Sequence, residues 1–254
     1  RVDSLHGLSD NFIQALAEDQ AGFLWVGTFS GGLNRFDPQT ETFTAFRHHP
    51  GDPGSLSDNR VNDLHFDQQD RLWVATEVGL DVLDPGTNQF RHFTHEPGNP
   101  QSLASGPVSC IYQGHDGRMW VGSTGGLTGF WPEKGQFERF LLLPKDPARP
   151  SVKSLYEDKY GQLWIGTWGG GLVRLDPKAG SFTRFGEAAG LSNPSVLCVR
   201  GDGEDQLFIA TEGDGLFIYD LQSEQFANYL PDLRNRRSLG SRSVHSLFYD
   251  PDNR

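Results

Sequence analysis

Two aromatic residues stand at matching places in the chain. Phe29 follows Thr28 in the stretch Thr-Phe-Ser-Gly-Gly, and Trp168 follows Thr167 in Thr-Trp-Gly-Gly-Gly. A flat ring beside glycines offers an apolar face on which the C–H face of a sugar ring can stack. Carboxylates occupy the corresponding stretches elsewhere, Glu77 in one and Glu212 with Asp214 in another. Such groups accept hydrogen bonds from hydroxyls. The competing reading has Trp168 packed on the adjacent loop. Phe29, Glu77, Trp168, Glu212 and Asp214 are the candidate ligand-binding residues.

Other chemistry-bearing residues point elsewhere. Glycoside cleavage needs two carboxylates across the scissile bond. Asp63 stands alone at its place, where the other copies of the pattern described below have Ala15, Cys110, Ser154 and Cys198. Glu18 and Glu157 share another place, beside a turn aspartate, and read as turn-end residues. No Ser/His/Asp elbow is present, and Gly201-Asp202-Gly203 reads as a turn, not a phosphate loop. No catalytic residues are expected. His48, His49 and His95 invite a metal, but no Cys or acidic partner recurs at ligand spacing, so neither metal nor cofactor is expected. Cys110 and Cys198 share one place and read as small buried residues. Arg234, Arg236, Arg237 and Arg242 cluster in one long loop. They read as a solvated loop, with an anionic glycan or a partner chain as the alternative.

The elements that must position these residues are written five times. Leu24–Thr28 (LWVGT) recurs as LWVAT, MWVGS, LWIGT and LFIAT, and the anchors Trp25, Trp73, Trp120, Trp164 and Phe208 fall 44 to 48 residues apart. Twelve and nine residues before each anchor lie aliphatic side chains, from Ile13 and Leu16 in the first copy to Val196 and Val199 in the last. Six before it lies Asp19, Asp67, Asp158 or Asp202, with Gly114 as the exception. A Gly-Leu pair follows each anchor, then a turn that is mostly Asp-Pro, then paired aromatics such as Phe43 with Phe46 and Phe182 with Phe185. Each copy therefore predicts four short strands joined by three tight turns. The turn Asp bonds the backbone, and a following Gly supplies positive φ. Units of this length fit propeller blades, with the anchors as packing between them. The three-residue spacing in each first strand departs from strict alternation, which a bulge or strong twist would explain.

Composition agrees. The 254 residues include 31 Gly and 15 Pro, 12% aromatic and 36% hydrophobic residues, which suits short strands and tight turns. A net charge of −11 disfavours nucleic acid as a partner. No apolar run is long enough to span a membrane, so no membrane contact is expected of this segment. Two cysteines build no disulfide framework. The expected architecture is all-β, a single propeller region over residues 1–254. Its blades fall at about 10–47, 58–94, 105–141, 151–186 and 194–230, with the start of a sixth at 242–254. Val2 and Leu5 mimic the spacing of a last strand, and Val244, Leu247 and Asp250 that of a first strand. The chain thus reads as an arc cut from a larger ring.

The unit V-x-x-L-x-x-D-x-x-G-x-L-W-V-G-T-x-x-G-G-L-x-x-F-D-P resembles the two-component regulator propeller repeat. Residues 13–46 and 152–185 match it almost throughout, and His48 to Arg60 resembles that family's inter-blade loop. Departures fall at Phe208, Trp131 and Gly114. The resemblance implies the periplasmic sensor region of a bacterial membrane signalling protein, commonly seven-bladed. Its output would be a hybrid histidine kinase working by phosphorelay, or a diguanylate cyclase. The resemblance also implies an oligosaccharide ligand and a homodimer formed through the parent protein. Two alternatives stay open: a propeller enzyme such as a glycan or streptogramin-type lyase, and a protein-interaction propeller without a small ligand.

Overall fold

The computed structural model describes residues 2–5, 7–140, 142, 150–193 and 195–250, with the backbone alone described over 2–5. They form two compact units, Arg1–Gln113 with Gly117–Arg139, and Gly114–Asp116 with Phe140–Arg254.

The first unit carries three sheets. In one, β1 (Val2–Leu5), β2 (Ile13–Glu18), β3 (Leu24–Thr28), β4 (Leu33–Asp37) and β5 (Thr42–Phe46) run in the order β1-β5-β4-β3-β2. The next is the meander β6 (Val61–Phe66), β7 (Leu72–Thr76), β8 (Gly79–Asp84) and β9 (Gln89–Thr94). The third is β10 (Val108–Gln113), β11 (Met119–Ser123), β12 (Gly126–Trp131) and β13 (Gln136–Phe140). The second unit carries two more meanders. One is β14 (Ser151–Glu157), β15 (Leu163–Trp168), β16 (Gly171–Asp176) and β17 (Ser181–Phe185). After a short 3-10 turn come β18 (Val196–Gly201), β19 (Gln206–Thr211), β20 (Leu216–Asp220) and β21 (Gln225–Tyr229).

Every first strand carries a register shift at one place, between Ile13 and Ala15, Val61 and Asp63, Val108 and Cys110, Val152 and Ser154, and Val196 and Cys198. A bulge adds one residue and so returns a side chain three positions on to the same face. That is why Val61 and Leu64, or Val152 and Leu155, are buried together. The bulge, one of two explanations the spacing left open, is the one the chain uses.

First strands lie side by side within each unit, β2 on β6 on β10, and β14 on β18. Within the units, three of the anchors fill the space to the next sheet. Trp25 clusters with Val61 and Leu64, Trp73 with Val108 and Ile111, and Trp164 with Val196 and Val199. Each of these indoles also stacks on the last aromatic of its own sheet, on Phe46, Phe93 and Phe185, with centroids 5.5–5.8 Å apart. Trp120 is buried as well, while Phe208 is half-buried.

The chain ends differ from the pattern expected of them. Val2–Leu5 pairs antiparallel with β5, from Val2 opposite Phe46 to Leu5 opposite Phe43, and so adds a fifth strand to the first sheet. Residues 242–250 form no strand, and 251–254 lie outside the described residues. Yet the segment docks as a first strand does. The amide of Gly215 donates to the Arg242 carbonyl, as Gly32 does to Asn59. Tyr249 lies over Phe208 at 6.5 Å, as Phe66 lies by Trp25 at 6.4 Å.

Candidate functional site

The candidate residues sit on the loops between second and third strands, or, for Trp168, at the last position of the second strand, and a buried hydroxyl pins each loop. Thr28, Thr167 and Thr211 donate to the carbonyls of Gly32, Gly171 and Gly215 at 2.7–2.8 Å. Thr76 and Ser123 do the same to Gly79 and Gly126 at 3.1 and 3.2 Å. The same oxygens accept loop amides from Gly31, Gly79, Gly125 and Asp214. The residue after the hydroxyl is thereby held at the surface. The glycine that closes the loop has its own reason. A Cβ on Gly32, Gly171 or Gly215 would collide with the carbonyl of Phe46, Phe185 or Tyr229 on the last strand.

The candidates gather in two groups, one in each unit. In the first unit Phe29 is 42% exposed, and the Arg60 guanidinium lies 3.9 Å from its ring centroid. Arg60 also pairs with Glu77 at 3.3 Å. A half-exposed pair of this kind adds little stability by itself. The result is a joined aromatic–cation–carboxylate surface from three loops. Arg60 was not among the sequence candidates. Its signal was only its place, directly before the first strand's leading Val61.

In the second unit Trp168 is 46% exposed and does not pack away on its neighbours, with Lys153 Nζ 6.0 Å from the ring. Glu212 is half-buried on the companion loop, its amide bonded to the Ser195 carbonyl. Asp214 already has a structural partner on each oxygen. One oxygen accepts Ser192 Oγ at 2.7 Å and the other the Asn193 amide at 2.5 Å, so the group fastens the incoming linker. In the first unit Asp10 plays the mirror part, accepting the Ser30 amide and hydroxyl. The Ser30 hydroxyl bond leads in holding the Asp10 carboxyl below its ordinary pKa.

The remaining chemistry-bearing residues have structural partners. Asp63 accepts the Ile111 amide of the next first strand at 2.8 Å, and Ser154, at the same place, accepts that of Val199 at 2.9 Å. Glu157 accepts the His115 amide at 2.8 Å. His48 and His95 place Nδ1 on the carbonyls of Leu56 and Leu103, both at 2.8 Å, and so shape their linkers. Among the described residues no His, Cys, Asp or Glu cluster could hold a metal ion. Cys110 and Cys198 are both buried. Arg234, Arg236, Arg237 and Arg242 are all exposed.

Sequence reasoning took the aspartate before each anchor as a turn former only. Asp158 is 2% exposed and accepts the Tyr160 amide at 2.9 Å, the Gln162 amide at 3.0 Å and the Trp164 indole at 2.7 Å. Asp19 with Trp25 and Asp67 with Trp73 repeat the indole bond at 2.8 Å. The carboxylate ties a turn to the core residue that the next strand delivers.

A family profile described as two component regulator propeller matches residues 7–30, 55–78, 102–125 and 147–169. Histidine kinase P4 of Formosa agariphila is 32% identical over 65 residues, 26% of this chain and 5% of that protein. The extracellular domain of BT3049, a candidate hybrid two component system of B. thetaiotaomicron, superposes over 98% of this chain with a TM-score of 0.75 and 24% identity. This chain spans 39% of that domain's length. Virginiamycin B lyase from Staphylococcus aureus superposes over 93% of this chain and 76% of its own, with a TM-score of 0.68 and 13% identity. These structural likenesses are likenesses of fold, an all-β propeller of four-stranded blades.

Proposed function

We propose that this chain, a two-component regulator propeller by its repeats, is the ligand-sensing, extracytoplasmic part of a hybrid two-component histidine kinase, and that its ligand is an oligosaccharide. The observation that carries the ligand class is Trp168. A large indole stands half in solvent, between a clamped threonine and a run of three glycines. An exposed aromatic on a pinned loop offers an uncovered face, and a sugar ring fits an indole flanked by no bulky neighbours. Glu212, on the matching loop of the next sheet, is the hydroxyl acceptor offered in that unit. Phe29, Arg60 and Glu77 offer the first unit's counterpart, with Arg60 supplying donors. Asp214 is left out, because its oxygens serve the linker.

The fold is shared with a lyase, but Asp63, the lone carboxylate at its place on a first strand, is tied to a backbone amide. That favours a sensor over a catalyst. Glycan-array screening followed by isothermal titration of the chain tests the reading. An oligosaccharide should bind, and Trp168→Ala should weaken it about three- to tenfold, the scale of one lost ring-stacking contact, with unchanged melting. Binding of no glycan, or binding that ignores Trp168, would overturn it; turnover of a bound glycan would favour the lyase reading.

A further inference from the structure

The linkers between sheets are built alike twice in the first unit. In 49–57, Ser55 Oγ accepts the His49 amide at 3.0 Å and donates to the Asp52 carbonyl at 2.8 Å, while Asp52 Oδ1 accepts the Gly54 amide. In 96–104, Ser102 Oγ accepts the Glu96 amide at 2.9 Å and donates to the Asn99 carbonyl at 3.0 Å, while Asn99 Oδ1 accepts the Gln101 amide. What differs is the side chain that reaches each linker from the last strand of the following sheet.

For 96–104 that side chain is Arg139, one residue before Phe140. Its Nε donates to the Ser102 carbonyl at 2.8 Å and its Nη2 to the Asn99 carbonyl at 2.7 Å. For 49–57 the residue at the same place, one before Phe93, is His92. Its Nε2 lies 2.9 Å from the Pro53 carbonyl and its Nδ1 2.8 Å from Asp81 Oδ1. Asp81 is fully buried, and its other oxygen accepts the Ser57 amide at 2.8 Å. A carbonyl oxygen only accepts, so Nε2 must carry hydrogen. The Asp81 carboxylate asks the same of Nδ1. The ring makes both bonds in full only as imidazolium, a fixed-charge role that Arg139 fills permanently.

We propose that His92 is a proton-operated latch on linker 49–57, closed when the ring carries both protons and released when it loses one. A neutral ring keeps one N–H and can serve either Pro53 or Asp81, not both. The linker is then held at one end only. The latch forms part of the wall of a cavity of about 480 Å³, which His48, His49, Val78 and Thr94 also line. Val78 adjoins the candidate residue Glu77, so the latch sits at the edge of the candidate ligand face, although its chemistry does not depend on what binds there.

The titratable and charged groups that bond the ring or share its cavity wall are Asp81 on β8 and Asp52, His48 and His49 on the linker; the other residues lining that wall are uncharged. The bond to Asp81 leads in raising the His92 pKa above its ordinary value, against partial burial. With the folded value raised, the latch is fully closed below about pH 6.5 and opens as pH climbs through the folded value.

Hydrogen exchange read by mass spectrometry tests this, with linker 96–104 as the control in the same molecule. Protection of 49–57 relative to 96–104 should hold steady below about pH 6 and fall roughly tenfold by about pH 9, the scale of one charge-assisted hydrogen bond. His92→Arg should keep the ratio high and flat, and His92→Gln low and flat. A ratio that ignores pH in the unaltered chain, or that still changes in His92→Arg, would overturn the proposal. Nitrogen chemical shifts of the unaltered protein give an independent reading: both ring nitrogens of His92 should be protonated at about pH 6, and a singly protonated ring there would also overturn it.

Discussion

Replacing Asp158 with Ala isolates the bond between turn and anchor. Asp158 is 2% exposed, and its loss removes acceptors from the Tyr160 and Gln162 amides and from the buried Trp164 indole. A buried donor left without a partner costs about 1–3 kcal/mol, and each of the two turn bonds contributes about 1 kcal/mol. The sum is about 3–5 kcal/mol. Asp202 supplies the control. It accepts the Glu204 and Gln206 amides at 2.8 and 3.1 Å, but its anchor is Phe208, whose ring has no N–H to donate. Asp202→Ala should therefore cost only about 1–2 kcal/mol. Urea unfolding followed by circular dichroism measures both. A double-mutant cycle of Asp158→Ala with Trp164→Phe should show coupling of about 1–3 kcal/mol, because the second change removes the donor that the first leaves stranded. Equal costs for the two aspartates, or no coupling, would refute the reasoning.

Three further outcomes follow from the same geometry. Gly171 sits at φ 80° with the Phe185 carbonyl in the way of a Cβ, so Gly171→Ala should cost more than about 2 kcal/mol, while Gly180→Ala, at φ 64° in open space, should cost about 1 kcal/mol, read by denaturant midpoints. Thr167→Val should lose about 1–2 kcal/mol and weaken any ligand that stacks on Trp168, while Thr167→Ser restores both, because the hydroxyl holds the loop without touching the ligand. Burial works against the charge on Asp67, but bonds from the Trp73 indole and from the Arg71 amide and guanidinium outweigh it and hold its pKa low. Its share of stability is present above about pH 3.9 and lost as pH falls through the folded value, so Asp67→Asn should flatten the acid limb of a stability profile.

The architecture was legible because it is repeated. Five anchors at near-constant spacing, each with a Gly-Leu pair and a closing aromatic pair, specify four-stranded units without any knowledge of their packing. What could not be read is whatever joins residues through space. The aspartate six before each anchor announces a turn in the sequence. Its second oxygen meets the indole only because the following strand folds back over it. Asp214 looks like Glu212 as a letter in a loop, yet it turns inward to Ser192 and Asn193, and that direction is set by a linker more than twenty residues away. The three-residue spacing of the first strands announced an irregularity, and only the strand registers show a bulge.

The loop candidates show why scaffold and site separate so cleanly in this chain. The residue before Phe29, Glu77, Thr124, Trp168 and Glu212 is a threonine or serine buried to 2% exposure or less, and the glycines closing four of these loops, Gly32, Gly79, Gly171 and Gly215, face a carbonyl of the last strand. Both are held by contacts inside their own sheet. The residue between them is Phe29, Glu77, Thr124, Trp168 or Glu212, four kinds of side chain that differ in size, charge and polarity on one backbone frame. A position that accepts such variety contributes little to the core, so its identity is free to be set by what lies outside. The same logic applies to His92 and Arg139. Their linkers share the serine and Asx-turn bonds that shape them, so the choice between a fixed and a titratable cation changes the response to pH and leaves the fold alone.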